Sequence, residues 1–295
     1  MTPCADSSGE ASTNRISLPT VSAAVSATVT RARRALVLLG LLALVGAARA
    51  EEPPLAKFEG AVGLVATWGP EYSGAPDYAL KLVPAGFVRY GRISISGAGG
   101  FTTRRADDVE RGIAASLVQR RHVKLSLALR VDGGRSESDS ERLDGMGDID
   151  ATVRARLLLR WTPDPNWTLS TGFSTDVLGR GGGWWGDLGL SRTWPLSPRT
   201  RFGISTNLVY AGQTYLQSWY GVTPEQSART GYAVYLPEAG VRSVSVGAAL
   251  RSELGPHWAG FVNLSADRLL GPAADSPLVE EPRGWSVGGG LVWRF

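Results

Sequence analysis

The sequence predicts an all-β protein: a transmembrane antiparallel up-and-down β-barrel of about twelve strands, preceded by a cleavable signal peptide. Three observations indicate this fold. Apolar and polar residues alternate at period two, the links between segments alternate between short and long, and the tryptophans gather at segment ends. The mean hydropathy of −0.05 over 295 residues excludes a protein built from many membrane-spanning helices.

Residues 1–50 are predicted to be an N-terminal extension plus an export signal. The arginines within 31–34 form a positive n-region, residues 35–47 form an apolar h-region, and Ala48-Arg49-Ala50 is a small-x-small cleavage site. The 13-residue h-region is too short to cross a bilayer as a helix. We expect cleavage after Ala50, which leaves 51–295 as the barrel. Our hypothesis for residues 1–30 is a start codon placed too far upstream.

The net charge of +4 belongs mostly to this leader, because 26 of the 31 basic and 25 of the 27 acidic residues lie in 51–295. A nucleic-acid-binding domain would carry its basic excess in its folded part, so nucleic acid is excluded as a partner. The single cysteine, Cys4, also lies in the leader. The mature chain therefore has no disulfide, thiolate metal site or thiol nucleophile, which fits an exported bacterial envelope protein.

Twelve segments alternate at period two, and most of them are 10 to 14 residues long. Strands of soluble proteins average about 5–6 residues, whereas a tilted transmembrane strand needs roughly 9–11. A soluble sandwich also alternates, so the length of the segments is what favours the membrane. The predicted strands are 60–68, 78–90, 92–101, 110–119, 122–132, 147–161, 166–177, 184–195, 200–213, 240–254, 257–268 and 284–295.

Short links follow every second segment, and the remaining links are longer, as in outer-membrane barrels with periplasmic turns and external loops. An even number of strands then places both termini in the periplasm. The longest link, 214–239, is rich in tyrosine and tryptophan, so we expect it to fold against the barrel rim or inside it, narrowing any pore.

Nine of the ten tryptophans lie at segment ends, which predicts two aromatic girdles at the headgroup layers. The other one, Trp219, lies within a loop. Phe295 is predicted to face lipid as the terminal residue of a barrel delivered to the outer-membrane assembly machinery. The girdle tryptophans are Trp161, Trp167, Trp194, Trp258 and Trp293 beside short turns or the C-terminus, and Trp68, Trp184, Trp185 and Trp285 beside long loops.

Charged residues on the polar face leave two interpretations of the lumen open. A water-filled lumen with excess cations would modestly favour anions. Alternatively, the charges pair across strands and form a structural plug. The predicted lumen cations are Lys124, Arg130, Arg154, Arg156, Arg160 and Arg251, and the predicted lumen acids are Asp148, Asp150, Glu253 and Asp267.

The mature chain offers no set of residues that predicts a catalytic, cofactor-binding or metal site, so we expect neither enzymatic activity nor a cofactor. His122 and His257 are interpreted as turn residues, rather than as the histidine of a barrel lipase. Glycines 181–183 are interpreted as turn glycines, not as a phosphate cradle. One acidic stretch lacks the spacing of a calcium loop and is interpreted as a solvated loop. It contains Glu137, Asp139, Glu141, Asp144 and Asp148.

Several stretches resemble the MipA/OmpV family of outer-membrane proteins. In the C-terminal third they are YGVTPEQS (220–227), GYAVY (231–235), PEAG (237–240), ADRL (266–269), ADSPLV (274–279) and the closing GLVWRF (290–295). Upstream, WGPEYSG (68–74) is similar to the first-loop element of the family. The resemblance extends over 60–295 and is densest over 219–295.

The resemblance implies a barrel of the Gram-negative outer membrane that contacts its lipid and lipopolysaccharide and has no assigned catalytic residues. One branch of the family is described as a scaffold between a lytic transglycosylase and a penicillin-binding protein. We therefore expect a non-enzymatic envelope scaffold or interaction protein linked to murein remodelling. The alternative is a narrow passive channel for small, anionic solutes, or a porin-like protein of the osmotic or antibiotic response.

Overall fold

A computed structural model describes residues 58–97 and 110–295, and within them twelve antiparallel strands close into one barrel. Each strand pairs with its neighbours in the chain, and the first pairs with the last, which confirms the predicted fold class. The strands are β1 (Phe58–Pro70), β2 (Tyr78–Tyr90), β3 (Ile93–Ser96), β4 (Gly112–Gln119), β5 (Val123–Asp132), β6 (Thr152–Asp164), β7 (Trp167–Asp176), β8 (Trp184–Pro195), β9 (Thr200–Ala211), β10 (Gly240–Glu253), β11 (Trp258–Leu269) and β12 (Arg283–Arg294).

Two regions of the sequence prediction lie outside the described residues: the leader with its signal peptide, and residues 98–109. The predicted bounds of β2 and β8 are confirmed to the residue. The predicted start of β6 at 147 is wrong, because Ile149 forms an isolated bridge with Arg135 within the preceding loop. Gly147, at φ +76°, also interrupts the extended backbone that strand alternation requires.

The two ends of the barrel differ in their connections. The short-turn end carries the links 91–92, 120–122, 165–166, 196–199 and 254–257 and the C-terminus, and the long-loop end carries the other six links. The turns use local chemistry: the Asp164 carboxylate accepts hydrogen bonds from the backbone N–H groups of Asn166 (2.8 Å) and Trp167 (3.2 Å). The predicted alternation of short and long links is confirmed.

The outer face of the barrel is apolar and exposed. Leu80 and Leu82 are 65% and 63% exposed, and the outward positions of the other strands carry similar residues. A water-soluble protein rarely exposes such a continuous apolar surface. In lipid, closure of the barrel gives every strand a hydrogen-bonding partner on both sides, so this face is the membrane-spanning surface. Within the described residues, no helix is both long and apolar enough to cross a membrane.

Aromatic rings mark both edges of this apolar face. At the long-loop end, Trp68 lies 4.9 Å from Tyr78 and 4.7 Å from Trp285, measured between ring centroids. At the short-turn end, Trp293 stacks with His257 at 5.7 Å and contacts Phe295 at 5.5 Å. The two predicted girdles are therefore present, and Phe295 has the predicted outward position. Its role in delivery to the assembly machinery stays a prediction.

Three of the long loops contain helices and pack together. They carry α1 (Gln213–Tyr220), α2 (Pro224–Thr230), α3 (Gly271–Ala274) and two single 3₁₀ turns at Glu137–Asp139 and Glu141–Leu143. We call the loops 133–151, 212–239 and 270–282 the loop cap. Met146, Val222 and Leu278, one from each loop, form a buried cluster that joins them.

Candidate functional site: the barrel lumen

The lumen is closed at the long-loop end by α1, which we call the plug. Leu216 of the plug is 0% exposed and packs with Ala211 of β9, Leu269 of β11 and Ala273 of α3. The loop 214–239 was expected to fold against the rim or inside the barrel, and this is confirmed. Its aromatic residues fill the mouth because burying them stabilises the fold more than exposing them.

Residues of the loop cap form hydrogen bonds to the C-terminal end of the plug. Arg135 of loop 133–151 donates to the carbonyl oxygen of Trp219 at 3.0 Å, and Ser276 of loop 270–282 donates to that of Tyr220 at 2.6 Å. The Tyr220 hydroxyl donates to Ser73 Oγ at 3.2 Å. Burial raises the pKa of Tyr220 above its ordinary value, so its ring stays neutral in this packed position.

Below the plug lies a group of four arginines that we call the arginine layer: Arg130, Arg154, Arg156 and Arg242. Arg154 is 1% exposed, and its Nε donates to the Asp132 carboxylate at 2.5 Å. Arg156 donates to Asp187 at 3.1 Å. These two ion pairs link β6 to β5 and to β8. The interpretation in which the lumen charges pair across strands is therefore correct for Arg154 and Arg156.

Two aromatic rings complete the arginine layer. Arg156 lies 4.7 Å and Arg130 5.6 Å from the centroid of the Trp185 ring. Tyr215 of the plug lies 5.4 Å from Arg154, and its hydroxyl accepts a hydrogen bond from Arg242 at 2.9 Å. Such cation–π contacts offset part of the cost of placing like charges together in a poorly hydrated site.

Trp185 is a correction to the predicted girdle. Trp184 does face outward, where it stacks with Phe173 at 5.7 Å, but Trp185 faces the lumen. The physical reason is the pleat of the strand, which sends consecutive side chains to opposite faces. Sequence reasoning therefore missed Trp185 as a lumen residue, although strict alternation after Trp184 would have located it.

The acidic partners of the lumen arginines also differ from those predicted. The predicted Asp148 and Asp150 precede β6 and do not pair with the arginines. Asp148 instead accepts hydrogen bonds from the Glu137 backbone N–H (2.8 Å) and the Ser136 hydroxyl (2.9 Å). These bonds lower the pKa of Asp148, with the Glu137 backbone bond as the largest cause. Asp132, Asp187 and Glu110 instead pair with three of the predicted lumen arginines, Arg154, Arg156 and Arg160.

The short-turn half of the lumen is an open cavity of 690 Å³, which we call the cationic vestibule. Among the lining residues that the structure describes, Glu253 is the single carboxylate, and it pairs with Arg294 at 3.1 Å. Arg192 lies at the edge, with its guanidinium over Trp167 (5.1 Å) and Trp194 (4.8 Å). The other cations that line it are Lys124, Arg160, Arg201, Arg251 and Arg294 on the strands and Arg120, Arg121 and Arg199 in the short turns.

A second cavity of 370 Å³ lies between the vestibule and the arginine layer. It shares Arg160, Ser170 and Asn207 with the vestibule, and its lining reaches Trp185 and Arg242. Arg160 is held there by Glu110 at 2.7 Å. The described part of the lumen is therefore open towards the short-turn end and closed at the level of Trp185 and Tyr215.

The remaining candidate groups have structural roles. His122 and His257 each place Nδ1 near a backbone carbonyl oxygen at a turn, at 2.8 Å from Thr162 and 3.0 Å from Arg294. Gly181 and Gly183 have φ of +80° and +57°, which confirms the turn interpretation. The carbonyl oxygens of Gly182 and Gly183 also accept hydrogen bonds from Arg154, which sequence reasoning missed. Among the described residues, no group of three or more His, Cys, Asp or Glu could hold a metal ion.

A closed twelve-stranded barrel with an apolar outer face and a plugged lumen defines a transmembrane β-barrel protein. Within that class, the chain belongs to the family described as MltA-interacting protein MipA, whose family model matches residues 62–295. This match confirms the resemblance found in the sequence. Among curated proteins there is no match.

Solved structures with a similar fold include several outer-membrane proteins. A bacterial polysaccharide outer membrane secretin is 10% identical, with a TM-score of 0.40 over 80% of this chain and 98% of that one. An anion-selective porin from Comamonas acidovorans is 9% identical, with a TM-score of 0.37 over 81% and 99%. OmpF of Salmonella typhi in complex with daunomycin is also 9% identical, with a TM-score of 0.36 over 81% and 97%. Such low scores assign no function to this chain.

Proposed function

We propose that this chain is a non-enzymatic interaction protein of the Gram-negative outer membrane, with its long loops outside the cell and its short turns in the periplasm. The observation that carries the proposal is the plug, because α1 and the arginine layer occupy the part of the lumen that a diffusion channel keeps open. The apolar outer face and the family membership support the location. The asymmetry of the links supports the orientation.

The partner we propose is a murein-remodelling enzyme, either a lytic transglycosylase or a penicillin-binding protein. The description of the family as MltA-interacting supports this choice. The short-turn end carries Arg120, Arg121 and Arg199, so we expect the partner to present an acidic surface there. Partner recognition by such short turns requires charge complementarity more than shape, since the turns offer little surface.

The experiment measures binding of a purified lytic transglycosylase, and of the periplasmic part of a penicillin-binding protein, to the barrel in lipid nanodiscs. We expect specific binding that weakens with salt, and slower association for the Arg120→Ser/Arg121→Ser variant. A matched control is Arg268→Ser/Arg283→Ser, which removes two exposed arginines at the long-loop end and leaves binding unchanged. Failure of both enzymes to bind the wild-type barrel would contradict the partner assignment.

The cationic vestibule favours a second candidate function, a narrow channel for small anions. This candidate requires the plug to move, since the described lumen ends at Trp185 and Tyr215. Swelling of barrel-containing vesicles in isosmotic solutions of small anionic solutes would support it. Vesicles that swell no faster than protein-free vesicles would leave the interaction protein as the better account.

A further inference from the structure

We propose that Arg268 and Arg283 form a binding site for the phosphate group of an outer-leaflet lipid, on the outer face of the barrel at the long-loop end. The inference rests on the proposed outer-membrane location and orientation, because these place the long-loop end in the outer leaflet. It adds a ligand that is independent of the murein partner, since that partner would bind the short turns at the other end. Three observations support it: the direction of the two side chains, their charge and the aromatic rings beside them.

Both arginines lie on the outer face of their strands. Arg268 follows Leu264 of β11 by four residues, and Leu264 is 51% exposed on the apolar outer face. Arg283 precedes Trp285 of β12 by two residues, and Trp285 is 43% exposed on the same face. Side chains alternate along a strand, so both arginines share that face, and both are exposed. They are also direct partners in the strand register, so two cations lie side by side there.

Within residues 58–97 and 110–295, neither of these arginines forms an ion pair. Asp267 precedes Arg268 in the chain, but alternation places it on the lumen face. The Glu281 carboxylate accepts a hydrogen bond from the backbone N–H of Arg283 at 3.2 Å, not from its guanidinium group. Like charges at opposed positions destabilise a sheet, so an anion that contacts both arginines would stabilise this edge of the barrel.

An arginine on the outer face of the opposite rim has a different arrangement. Arg192 is the direct strand partner of the girdle residue Trp167. Its guanidinium group lies 5.1 Å from the centroid of the Trp167 ring and 4.8 Å from that of Trp194, so two rings serve as its partners. In the part of the chain that the structure describes, neither Arg268 nor Arg283 has such a ring contact. Their N–H groups are therefore available to a ligand from the membrane.

The aromatic girdle indicates the depth of the arginine pair in the membrane. The Trp285 ring lies 4.7 Å from Trp68 and 5.6 Å from Tyr78, measured between centroids, and such rings lie in the headgroup layer. Arg283 lies two residues beyond Trp285, which is a rise of about 7 Å along the strand towards the outside.

This position defines the ligand. Guanidinium groups bind phosphate oxygens through paired hydrogen bonds, and the phosphates of lipids lie in the headgroup layer. The three rings on the membrane side of the pair can contact the apolar part of the same lipid. A soluble phosphate would gain nothing from those rings, so the arrangement favours a lipid phosphate.

The test titrates bisphosphorylated lipid A into the purified barrel in a neutral detergent and counts bound lipid by native mass spectrometry. We expect the wild type to bind lipid A more tightly than lipid A without its phosphates, with an affinity that falls as salt increases. Arg268→Ser/Arg283→Ser should lose about tenfold or more in affinity for lipid A. Arg268→Lys/Arg283→Lys should lose less, because it keeps both charges but not the paired hydrogen bonds.

Arg180→Ser/Arg229→Ser is the matched control, because it removes two exposed arginines from the long loops at the same end of the barrel. Its affinity for lipid A should equal that of the wild type. If Arg268→Ser/Arg283→Ser fails to fold, Arg268→Gln alone provides the comparison. The proposal is overturned if the wild type binds lipid A no better without its phosphates removed than with them removed, or if the Arg268/Arg283 variant binds lipid A as well as the control does.

Competition with inorganic phosphate separates a lipid from a soluble anion. We expect inorganic phosphate to displace lipid A no better than chloride of equal ionic strength does, because it lacks the apolar contacts. Displacement by phosphate well beyond that by chloride would overturn the assignment to a lipid. The binding of murein enzymes is measured in a separate assay, in which Arg268→Ser/Arg283→Ser should match the wild type, so each proposal can fail without the other.

Discussion

The two halves of the lumen use the same residue type in opposite ways. In the arginine layer, Arg154 has a carboxylate, two carbonyl oxygens and an aromatic ring as neighbours, and it is almost fully buried. In the vestibule, Arg201 and Arg251 are direct partners on the neighbouring strands β9 and β10, and both line the cavity. The difference teaches that the arginines of one half tie strands together through ion pairs, whereas those of the other half line a cavity with like charges side by side on neighbouring strands.

The strongest test of this comparison substitutes one arginine in each half. Arg154→Ala leaves Asp132 without its buried partner, so we expect a loss of about 3–5 kcal/mol in the free energy of unfolding. Arg201→Ala removes one of two opposed like charges, so we expect no loss or a small gain. Urea unfolding of the barrel in micelles, followed by tryptophan fluorescence, measures both values. Equal losses in the two variants would remove the distinction between the halves.

A smaller loss in the free energy of unfolding is expected for a substitution at Gly183, where the backbone of loop 177–183 approaches the plug. Gly183 has φ of +57°, and a Cβ there would lie 2.3 Å from the backbone nitrogen of Tyr215. Gly183→Ala should therefore displace the start of α1 and cost about 2–3 kcal/mol. Gly231, which ends α2 at φ +79°, has nothing within 4 Å of its Cβ position, so Gly231→Ala should cost only about 1 kcal/mol.

The same urea titrations measure this pair of glycine variants. Both glycines have a left-handed backbone, so the difference between the two losses in free energy of unfolding measures the effect of the close contact with the plug. If Gly231→Ala lowers the free energy of unfolding as much as Gly183→Ala does, the close contact between loop 177–183 and α1 contributes nothing to the stability of the barrel.

The smallest effect concerns loop 133–151 and its dependence on pH. Because hydrogen bonds lower the pKa of Asp148, its stabilisation of the loop is present above the ordinary pKa of 3.8 and is lost as pH falls through the lower value of the folded state. Hydrogen exchange of residues 133–151, corrected for the intrinsic rate, should therefore increase on acidification. Asp148→Asn should remove that increase, and the vestibule should show no comparable change.

Much of the fold could be predicted from the sequence because strand alternation and turn chemistry are local. The bounds of β2 and β8 and the inward position of Arg154 and Arg156 all follow from period two. The start of β6 could not be obtained in this way. Apolar and polar residues already alternate from Asp148 onwards, but the first residues of this stretch belong to loop 133–151 and the strand begins only at Thr152. A single isolated bridge at Ile149 takes the place of a ladder there.

The sequence contains start and end signals for only some of the helices in the loop cap. Thr223 and Gln226 form a capping box around Pro224, and Gly231 ends α2, so the start and end signals of this helix are present in the chain. The plug itself has no side-chain cap and depends on tertiary packing of Tyr215 and Leu216. The pairing of Arg156 with Asp187 likewise depends on two intervening strand pairings, which alternation alone does not specify.

The most direct test of the closed lumen is single-channel conductance of the wild-type barrel in a planar bilayer. The comparison variant replaces residues 213–230 with a Gly/Ser linker and changes Trp185 to Ala, which removes the plug and the ring beneath it. We predict a silent wild type and stepwise, anion-preferring conductance in the variant. Steady open steps in the wild type, equal in size to those of the variant, would contradict the account.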